Sequence, residues 1–289
     1  MPSSDGVGAR RATLQLLDSV LRRGRTLDPA STSARDLSAP DRALALAIAG
    51  ETLRRLPDLD AMIDSATRQP LPGDSKARMV LRLALAQKVG LGTPDHAVVA
   101  TALPLVDGGP RRLVHGVLST LLRRGVPASD APRLPLEVED RWRSSWGDET
   151  VLAARRQIAR RPMLDLTFAE ADEAKAYLKI HDGQSLVPGH MRLGSSAVTQ
   201  LPGFEQGHWW VQDLAASLPA RLVPGSAREV LDLCAAPGGK TMQLAAAGHR
   251  VTALDASKSR LARLAENLER THLEAVLVEA DALKWEPGR

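Results

Sequence analysis

The chain has 289 residues, of which 44% are hydrophobic and 3% aromatic, so it is long enough for two domains with cores of mainly Leu, Ala and Val. Charged residues interrupt every apolar stretch before it reaches membrane-spanning length, and the N-terminus lacks the apolar core of a signal peptide. A single cysteine excludes an internal disulfide and a cysteine-rich zinc site. We therefore expect a cytoplasmic protein without a membrane segment or a bound metal.

The net charge of +4 is distributed unevenly along the sequence. Residues 1–127 contain 18 Lys and Arg against 12 Asp and Glu, whereas residues 128–289 contain 20 against 22. A basic first part attached to a nearly neutral second part favours a polyanionic substrate that the first part binds. The alternative is that the arginine excess is ordinary solvated helix surface.

Residues 1–124 are predicted to form helices and no strand. Apolar residues recur at helical spacing between Ala12 and Leu21, and Ser38 followed by Pro40 is typical of a helix N-cap and first turn. Further helices are predicted over residues 59–67, 76–89, 96–106 and 111–123. Because the sequence has no repeat of 20–50 residues, we interpret this part as one helical bundle.

The middle of the chain is predicted to be a linker followed by a small α/β adaptor. Residues 126–135 have the proline-rich, small-residue composition of a linker. Helices are predicted over 138–146 and 149–160, a strand over 163–168, and a helix over 173–179. Four tryptophans could stack on nucleic-acid bases, although packing is the favoured interpretation at their spacing. They are Trp142, Trp146, Trp209 and Trp210.

A strand, a glycine turn and a helix follow one another from residue 229 to residue 247. Residues 229–234 form a short apolar run, the turn reads Ala-Ala-Pro-Gly-Gly, and a helical pattern begins at Lys240. Such a unit lets backbone amides approach a nucleotide-like ligand closely.

Acidic residues follow the next two predicted strands. The strand over residues 250–254 ends at Asp255, where a carboxylate can accept hydrogen bonds from ribose hydroxyls. The strand over residues 275–278 leads to Asp281, a second acid at the same edge of the sheet. The glycine turn and the two acids in this order favour S-adenosylmethionine (SAM) as the ligand.

Two other interpretations of the glycine turn are a phosphate-binding P-loop and a tight turn without a ligand. Gly239, Lys240 and Thr241 fit the end of the P-loop pattern, but Cys234 replaces its first glycine. Pro237 also removes one of the amides that should bind phosphate. The sequence therefore favours SAM over a nucleoside triphosphate.

The motifs HWWVQDLAASLPARL, VLDLCAAPGGKT, TALDAS, RLARLAENLER and VEADALKW resemble the bacterial 16S rRNA cytosine-C5 methyltransferases of the RsmB/Sun type. The segments DHAVV from Asp95 and RRLVHGVL from Arg111 resemble the NusB-like helical RNA-binding domain of that family. The resemblance implies an all-α NusB-like bundle over residues 1–127, a linker and small α/β adaptor over 128–207, and the N-terminal part of a Rossmann-like methyltransferase domain over 208–289.

The resemblance also implies the role of each site residue. The backbone of seven loop residues would surround the methionine and ribose parts of SAM; they are Cys234, Ala235, Ala236, Pro237, Gly238, Gly239 and Lys240. Asp255 would hold the ribose hydroxyls, Asp281 would lie at the adenine amino group, and Asp232 would orient the loop. Small-subunit ribosomal RNA is the implied partner of a monomeric protein, and Arg111 and Arg112 are its predicted contacts.

The sequence departs from the family in its cysteines. The family uses one cysteine to attack C6 of cytosine and a second to assist product release, in Pro-Cys and Thr-Cys motifs on later strands. Here Cys234 is the one cysteine, and we expect it to be a small buried residue of the cofactor loop. No catalytic residue is therefore predicted, and the 289-residue chain alone is expected to be inactive.

Two explanations of this departure are a truncated or split methyltransferase and a non-catalytic RNA-binding protein of the NusB class, with an antitermination-like role in transcription. The first is favoured because the strand over residues 230–234 is apolar and resembles one from the centre of a larger sheet. At the edge of a three-stranded sheet it would be exposed.

Overall fold

The structure is a computed structural model that describes residues 6–27, 33–194 and 198–286. The chain divides into two compact units, Met1–Arg161 and Pro162–Arg289, which we call the helical unit and the α/β unit. Among the described residues, no helix combines the length and the apolar character needed to cross a membrane.

The helical unit contains seven α-helices and two short 3-10 turns in its described part, which confirms the predicted all-α character. The helices are α1 (Val7–Leu21), α2 (Ala39–Arg54), α3 (Leu56–Ser65), α4 (Lys76–Leu91), α5 (Asp95–Ala102), α6 (Gly108–Arg124) and α7 (Leu136–Ala159). The 3-10 turns are Ser33–Asp36 and Leu103–Leu105.

Helix α4 lies at the centre of this unit. Every residue from Ala77 to Gln87 is buried, and α4 packs against α1, α2, α3, α5 and α6. Two of its buried side chains are cationic, and carboxylates of α3 compensate them: Arg82 Nε lies 2.7 Å from Asp60 Oδ1, and Arg78 Nη1 lies 3.0 Å from the same oxygen. Buried charges are tolerated when they are paired in this way.

Helix α2 begins as predicted, because Ser38 Oγ accepts a hydrogen bond of 3.3 Å from the Asp41 amide. Helix α7 is divided at Gly147, whose φ of 81° is not helical, so the two helices predicted on either side of residue 147 are confirmed. The predicted linker over residues 126–135 contains no helix or strand. It is nevertheless anchored, since Arg155 Nη2 donates to Ala131 O at 2.8 Å.

The α/β unit contains two sheets. Its elements are β1 (Leu164–Phe168), α8 (Ala171–Leu178), β2 (Gly183–Gln184), β3 (His190–Leu193), β4 (Trp209–Val211), α9 (Leu214–Arg221), β5 (Glu229–Leu233), α10 (Gly239–Ala246), β6 (Arg250–Asp255), α11 (Lys258–Thr271) and β7 (Val276–Glu279), with a 3-10 turn at Val198–Gln200. The first sheet is antiparallel in the order β2-β3-β1-β4, and the second is parallel in the order β5-β6-β7.

The antiparallel sheet buries two of the four tryptophans. Trp209 and Trp210 lie in β4 opposite Phe168 and Thr167 of β1, and both indole rings are buried. Trp209 packs with Leu166, Phe168 and α8. These two rings are core residues and are not available for stacking on bases, whereas Trp146 in α7 is 61% exposed. Strand β4 lies in the segment predicted to belong to the methyltransferase domain, residues 208–289. It nevertheless pairs with β1 and completes the antiparallel sheet of the preceding segment.

Among the described residues, helices cover one face of the parallel sheet, and the edge strand β5 is exposed on the other face. Val251 of β6 packs against Ala220 of α9 and Leu244 of α10. On the opposite face, Leu231 and Leu233 of β5 are 43% and 49% exposed. Strand β5 pairs with β6 alone, so the predicted open apolar edge at the first strand is confirmed for the described part of the chain.

Candidate cofactor site

The three parallel strands end at one edge of their sheet, and the predicted cofactor residues follow those ends. Strand β5 passes into the loop from Cys234 to Gly238, and α10 begins at Gly239. Asp255 is the last residue of β6. The Ala280 amide donates to the Asp255 carbonyl at 3.2 Å, so Asp281 lies immediately beyond the same edge. In open α/β sheets, ligands bind outside the carboxyl ends of the strands.

The loop has a conformation that requires glycine at position 238. Gly238 has a φ of 107°, and its amide donates to the Ala235 carbonyl at 2.9 Å to close the turn. A Cβ atom at this position would lie 2.1 Å from Leu264 Cδ1 of α11. Glycine therefore allows both the left-handed backbone and the close approach of the loop to α11.

Cys234 is exposed, so the expectation that it is a small buried residue was wrong. It follows Leu233 at the end of the edge strand β5, and no second neighbouring strand covers this edge within the described residues. Its φ of 56° marks it as the residue where the strand turns into the loop. Burial of a strand end depends on strand order, which the local sequence does not show.

Asp232 joins the strand to the helix on the other side of the loop. Its Oδ2 accepts a hydrogen bond of 2.7 Å from Thr241 Oγ1, and both side chains are buried. This contact supports the interpretation that Asp232 orients the loop. It also disfavours a P-loop, in which the corresponding hydroxyl binds the magnesium ion of a nucleotide.

Asp255 is fixed by three hydrogen bonds at the edge of the sheet. Its carboxylate is buried; Oδ2 accepts from the Ala236 amide at 3.2 Å and from Arg260 Nη2 at 2.7 Å. Oδ1 accepts from the Ser257 amide at 3.0 Å. Since a carboxylate offers about four acceptor positions, one remains on Oδ1 for a ligand.

Two side chains of α11 that sequence reasoning missed also hold the loop. Arg260 Nη2 donates to the Ala236 carbonyl at 3.0 Å, and Asn267 Nδ2 donates to the Pro237 carbonyl at 3.0 Å. Seven residues separate them, so they lie two turns apart on one face of the helix. In the sequence, the signal that could have identified Arg260 and Asn267 is their seven-residue spacing in the helix that follows Asp255.

Asp281 is half-exposed and begins a turn. Its Oδ1 accepts from the Leu283 amide at 3.0 Å, and its Oδ2 lies 3.9 Å from Lys284 Nζ. These contacts orient the carboxylate without occupying all of its acceptor positions. Among the described residues, no group of three or more His, Cys, Asp or Glu is arranged to hold a metal ion.

The two predicted RNA contacts lie in the helical unit, in the first five residues of α6. Both are exposed, but Arg111 Nη1 donates to the Leu103 carbonyl at 2.9 Å, whereas Arg112 lines a groove of about 850 Å³ together with Arg68. Cations near a helix N-terminus oppose the helix dipole. The helix dipole therefore does not explain Arg111 and Arg112, whereas it favours Arg123 and Arg124 in the last turn of α6.

Comparison with known proteins assigns both parts of the chain. Residues 219–287 match the family described as 16S rRNA methyltransferase RsmB/F, and residues 8–123 match the NusB family. The ribosomal RNA small subunit methyltransferase B of Xylella fastidiosa (strain Temecula1) is 34% identical over 301 residues, which cover 96% of this chain and 69% of that protein. The chain belongs to the 16S rRNA methyltransferase RsmB/F family.

A second relative agrees with this assignment, and a solved structure shares the fold. The enzyme of the same name from Xanthomonas campestris is 34% identical over 286 residues, covering 92% of this chain and 65% of that protein. The crystal structure of PH0851 shares the fold with a TM-score of 0.67 at 19% identity, over 97% of this chain and 71% of that one. The chain thus spans about two thirds of the length of the RsmB/F relatives that it matches.

Family membership confirms several predictions from the sequence. The fold class, with a NusB-like helical part before an α/β methyltransferase sheet, is confirmed by the matched families and by the PH0851 fold. RsmB/F proteins are SAM-dependent methyltransferases that modify ribosomal RNA, so the predicted enzyme class and cofactor are confirmed for the family.

Proposed function

We propose that this chain binds SAM where β5, β6 and β7 end, and that the bound cofactor serves methyl transfer to C5 of a cytosine in small-subunit ribosomal RNA. The observation that carries the proposal is the cofactor loop from Cys234 to Gly238. It is held on one side by the Asp232–Thr241 hydrogen bond and on the other by Asp255. These hydrogen bonds fix the loop through the chain's own residues, and a loop fixed in its binding conformation lowers the entropy cost of binding.

Each part of SAM has a candidate contact at this edge. The backbone of the loop and the N-terminus of α10 would surround the methionine and ribose parts; these residues are Cys234, Ala235, Ala236, Pro237, Gly238, Gly239 and Lys240. Asp255 would accept from a ribose hydroxyl with the free position on Oδ1. Asp281 would accept from the adenine amino group, because its carboxylate stands beyond the end of β7.

Cys234 is assigned to the cofactor loop and not to the covalent step of cytosine methylation. That step needs a thiolate against C6 of the base, on the side of the ring away from the SAM methyl group. Cys234 lies at the junction of β5 with the loop, where its φ is 56°, and its backbone would line the proposed cofactor. It is the one cysteine of the 289 residues, so we assign the attack on C6 to no residue of this chain.

The helical unit is proposed to bind the RNA. Arg111 and Arg112 are exposed at the start of α6, and residues 1–127 carry the basic excess of the chain. We assign RNA contact to residues 1–127, the adaptor to 128–207 and cofactor binding to 208–289. A monomeric state and a cytoplasmic location stay predictions.

Calorimetry with S-adenosylhomocysteine tests the cofactor site. We expect the unaltered chain to bind and Asp255→Ala to bind about 10- to 100-fold more weakly, because a charge-assisted hydrogen bond is removed. Asp281→Ala should weaken binding less, since that carboxylate is half-exposed. Asp182→Ala, at an exposed position of the same unit, controls for the change in charge. Absence of binding by the unaltered chain would overturn the proposal, and unchanged affinity in Asp255→Ala would remove Asp255 from the site.

A further inference from the structure

Helix α11 presents one face to the cofactor loop. Arg260, Leu264 and Asn267 are spaced four and three residues apart, as neighbours on a helix face are. Arg260 and Asn267 donate to the Ala236 and Pro237 carbonyls, and Leu264 is the side chain that a Cβ at position 238 would meet. The shape of the loop is therefore set by this helix as well as by the strand before it.

Arg260 joins the helix, the loop and Asp255 in one closed arrangement. Its Nη2 lies 2.7 Å from Asp255 Oδ2 and 3.0 Å from the Ala236 carbonyl, while the Ala236 amide donates to the same Oδ2 at 3.2 Å. The Asp255 side chain is 4% exposed, but that of Arg260 is 53% exposed. The guanidinium thus lies at the solvent side of a buried carboxylate.

The two donors to Oδ2 decide which oxygen of Asp255 is free. A carboxylate oxygen has two lone pairs, and the Ala236 amide and Arg260 occupy both on Oδ2. Oδ1 accepts from the Ser257 amide alone among the described hydrogen bonds, so its second lone pair is open. Without Arg260, both oxygens would have an open position, and the carboxylate could turn between them.

We propose that Arg260 is a positioning residue for the cofactor: it fixes the Asp255 carboxylate so that Oδ1 is presented to the ribose hydroxyls. This inference rests on the proposed SAM site. Arg260 acts through Asp255 and touches neither the methyl group nor the base. A guanidinium suits the role because its planar Nη2 carries two hydrogens in fixed directions, one for the carboxylate and one for the carbonyl, whereas the donors of a lysine ammonium rotate freely.

Ligands with and without ribose hydroxyls separate this role from general support of the loop. The affinities of S-adenosylhomocysteine and its 2′,3′-dideoxy analogue are measured by calorimetry on the 289-residue chain. Arg260→Gln should weaken binding of the first about ten-fold, because the charge-assisted hydrogen bond that orients Asp255 is removed. Binding of the analogue should weaken by less than about three-fold, since it makes no hydrogen bond to Asp255. The affinity of Arg260→Lys for S-adenosylhomocysteine should lie between the affinities of the unaltered chain and of Arg260→Gln.

Lys258→Gln is the matched control, because it removes one positive charge from an exposed position in the first turn of α11. It should change neither affinity. Equal reductions for the two ligands in Arg260→Gln would show general support of the loop and overturn the inference, as would unchanged affinity. In both cases the proposed cofactor site would stand, because the unaltered chain would still bind. Absence of binding by the unaltered chain would overturn the site and this inference together.

Discussion

The hydroxyl of Thr241 donates a hydrogen bond of 2.7 Å to the carboxylate of Asp232, across the loop that joins their two elements. Asp232 lies in β5 and Thr241 in the first turn of α10, and both side chains are buried. The bond closes the base of the strand–loop–helix unit. Its removal would leave a carboxylate buried with one donor fewer, which is costly because water cannot reach it.

Replacement of Thr241 by valine should therefore destabilise the α/β unit. Valine keeps the shape of threonine but removes the donor, so we expect the free energy of unfolding to fall by about 1–3 kcal/mol. Affinity for S-adenosylhomocysteine should fall with it, because the loop loses its fixed base. Thr241→Ser retains the hydroxyl and is the control. Urea unfolding followed by tryptophan fluorescence measures the change, and equal stability of the valine and serine variants would contradict the role of the bond.

Gly238→Ala should disrupt the cofactor loop. The backbone at this position has a φ of 107°, which alone costs an alanine about 1–3 kcal/mol. The added methyl group would also meet Leu264, so the cost of Gly238→Ala should be smaller in a Leu264→Ala background. Gly225→Ala is the control, since no heavy atom lies within 4 Å of a Cβ there. Loss of S-adenosylhomocysteine binding in Gly238→Ala, with retention in Gly225→Ala, is the expected result.

The sequence predicts the parts of the proposed cofactor site that are local in the chain. The apolar run before Cys234, the Pro-Gly-Gly turn and the acid at the end of β6 lie within about 25 residues of one another, and each is set by its neighbours. The parallel order of β5, β6 and β7 follows from the alternation of strands and helices.

Other features depend on contacts between distant segments, which local patterns do not show. The sequence assigns Trp209 and Trp210 to residues 208–289, the segment that contains the parallel sheet. In the structure, however, their strand β4 pairs with β1, more than 40 residues earlier in the chain. The exposure of Cys234 follows from the edge position of β5 in the sheet. The role of Arg260 depends on how α11 packs against the loop, which a helical pattern alone leaves open.

A buried histidine makes the α/β unit sensitive to acid. His190 in β3 is buried, and its Nε2 lies 3.5 Å from Asp165 Oδ1. Burial lowers the pKa of His190, and the positive charges of Arg192 and Arg221 act in the same direction, while Asp165 opposes them. The folded state therefore holds this imidazole neutral at pH values where the unfolded chain, with a pKa near 6.5, is already protonated.

The resulting stability is present above pH 6.5 and is lost as the pH falls toward the lowered pKa of the folded state, because the unfolded chain then binds more protons. Urea unfolding at about pH 7.5 and about pH 5.5 should show a lower free energy of unfolding at the lower pH. His190→Gln should remove part of this difference, whereas His208→Gln, at an exposed position, should retain it. The same pH dependence in both variants would exclude His190 as its source.

RNA binding by the helical unit should depend on the arginines at the start of α6. Charge reversal in Arg111→Glu with Arg112→Glu removes two cations that the helix dipole does not stabilise, and we expect weaker binding to a small-subunit rRNA fragment. Because cations that bind phosphates release counterions, the slope of log affinity against log salt should fall by about 0.7–0.9 for each phosphate that the variant no longer neutralises. Filter binding or fluorescence anisotropy over a series of salt concentrations measures both quantities.

The matched control is Arg160→Glu with Arg161→Glu, an exposed pair that gives the same change in net charge outside a helix N-terminus. An equal reduction in the control would show a general effect of charge, and an affinity independent of salt would exclude phosphate binding by this unit.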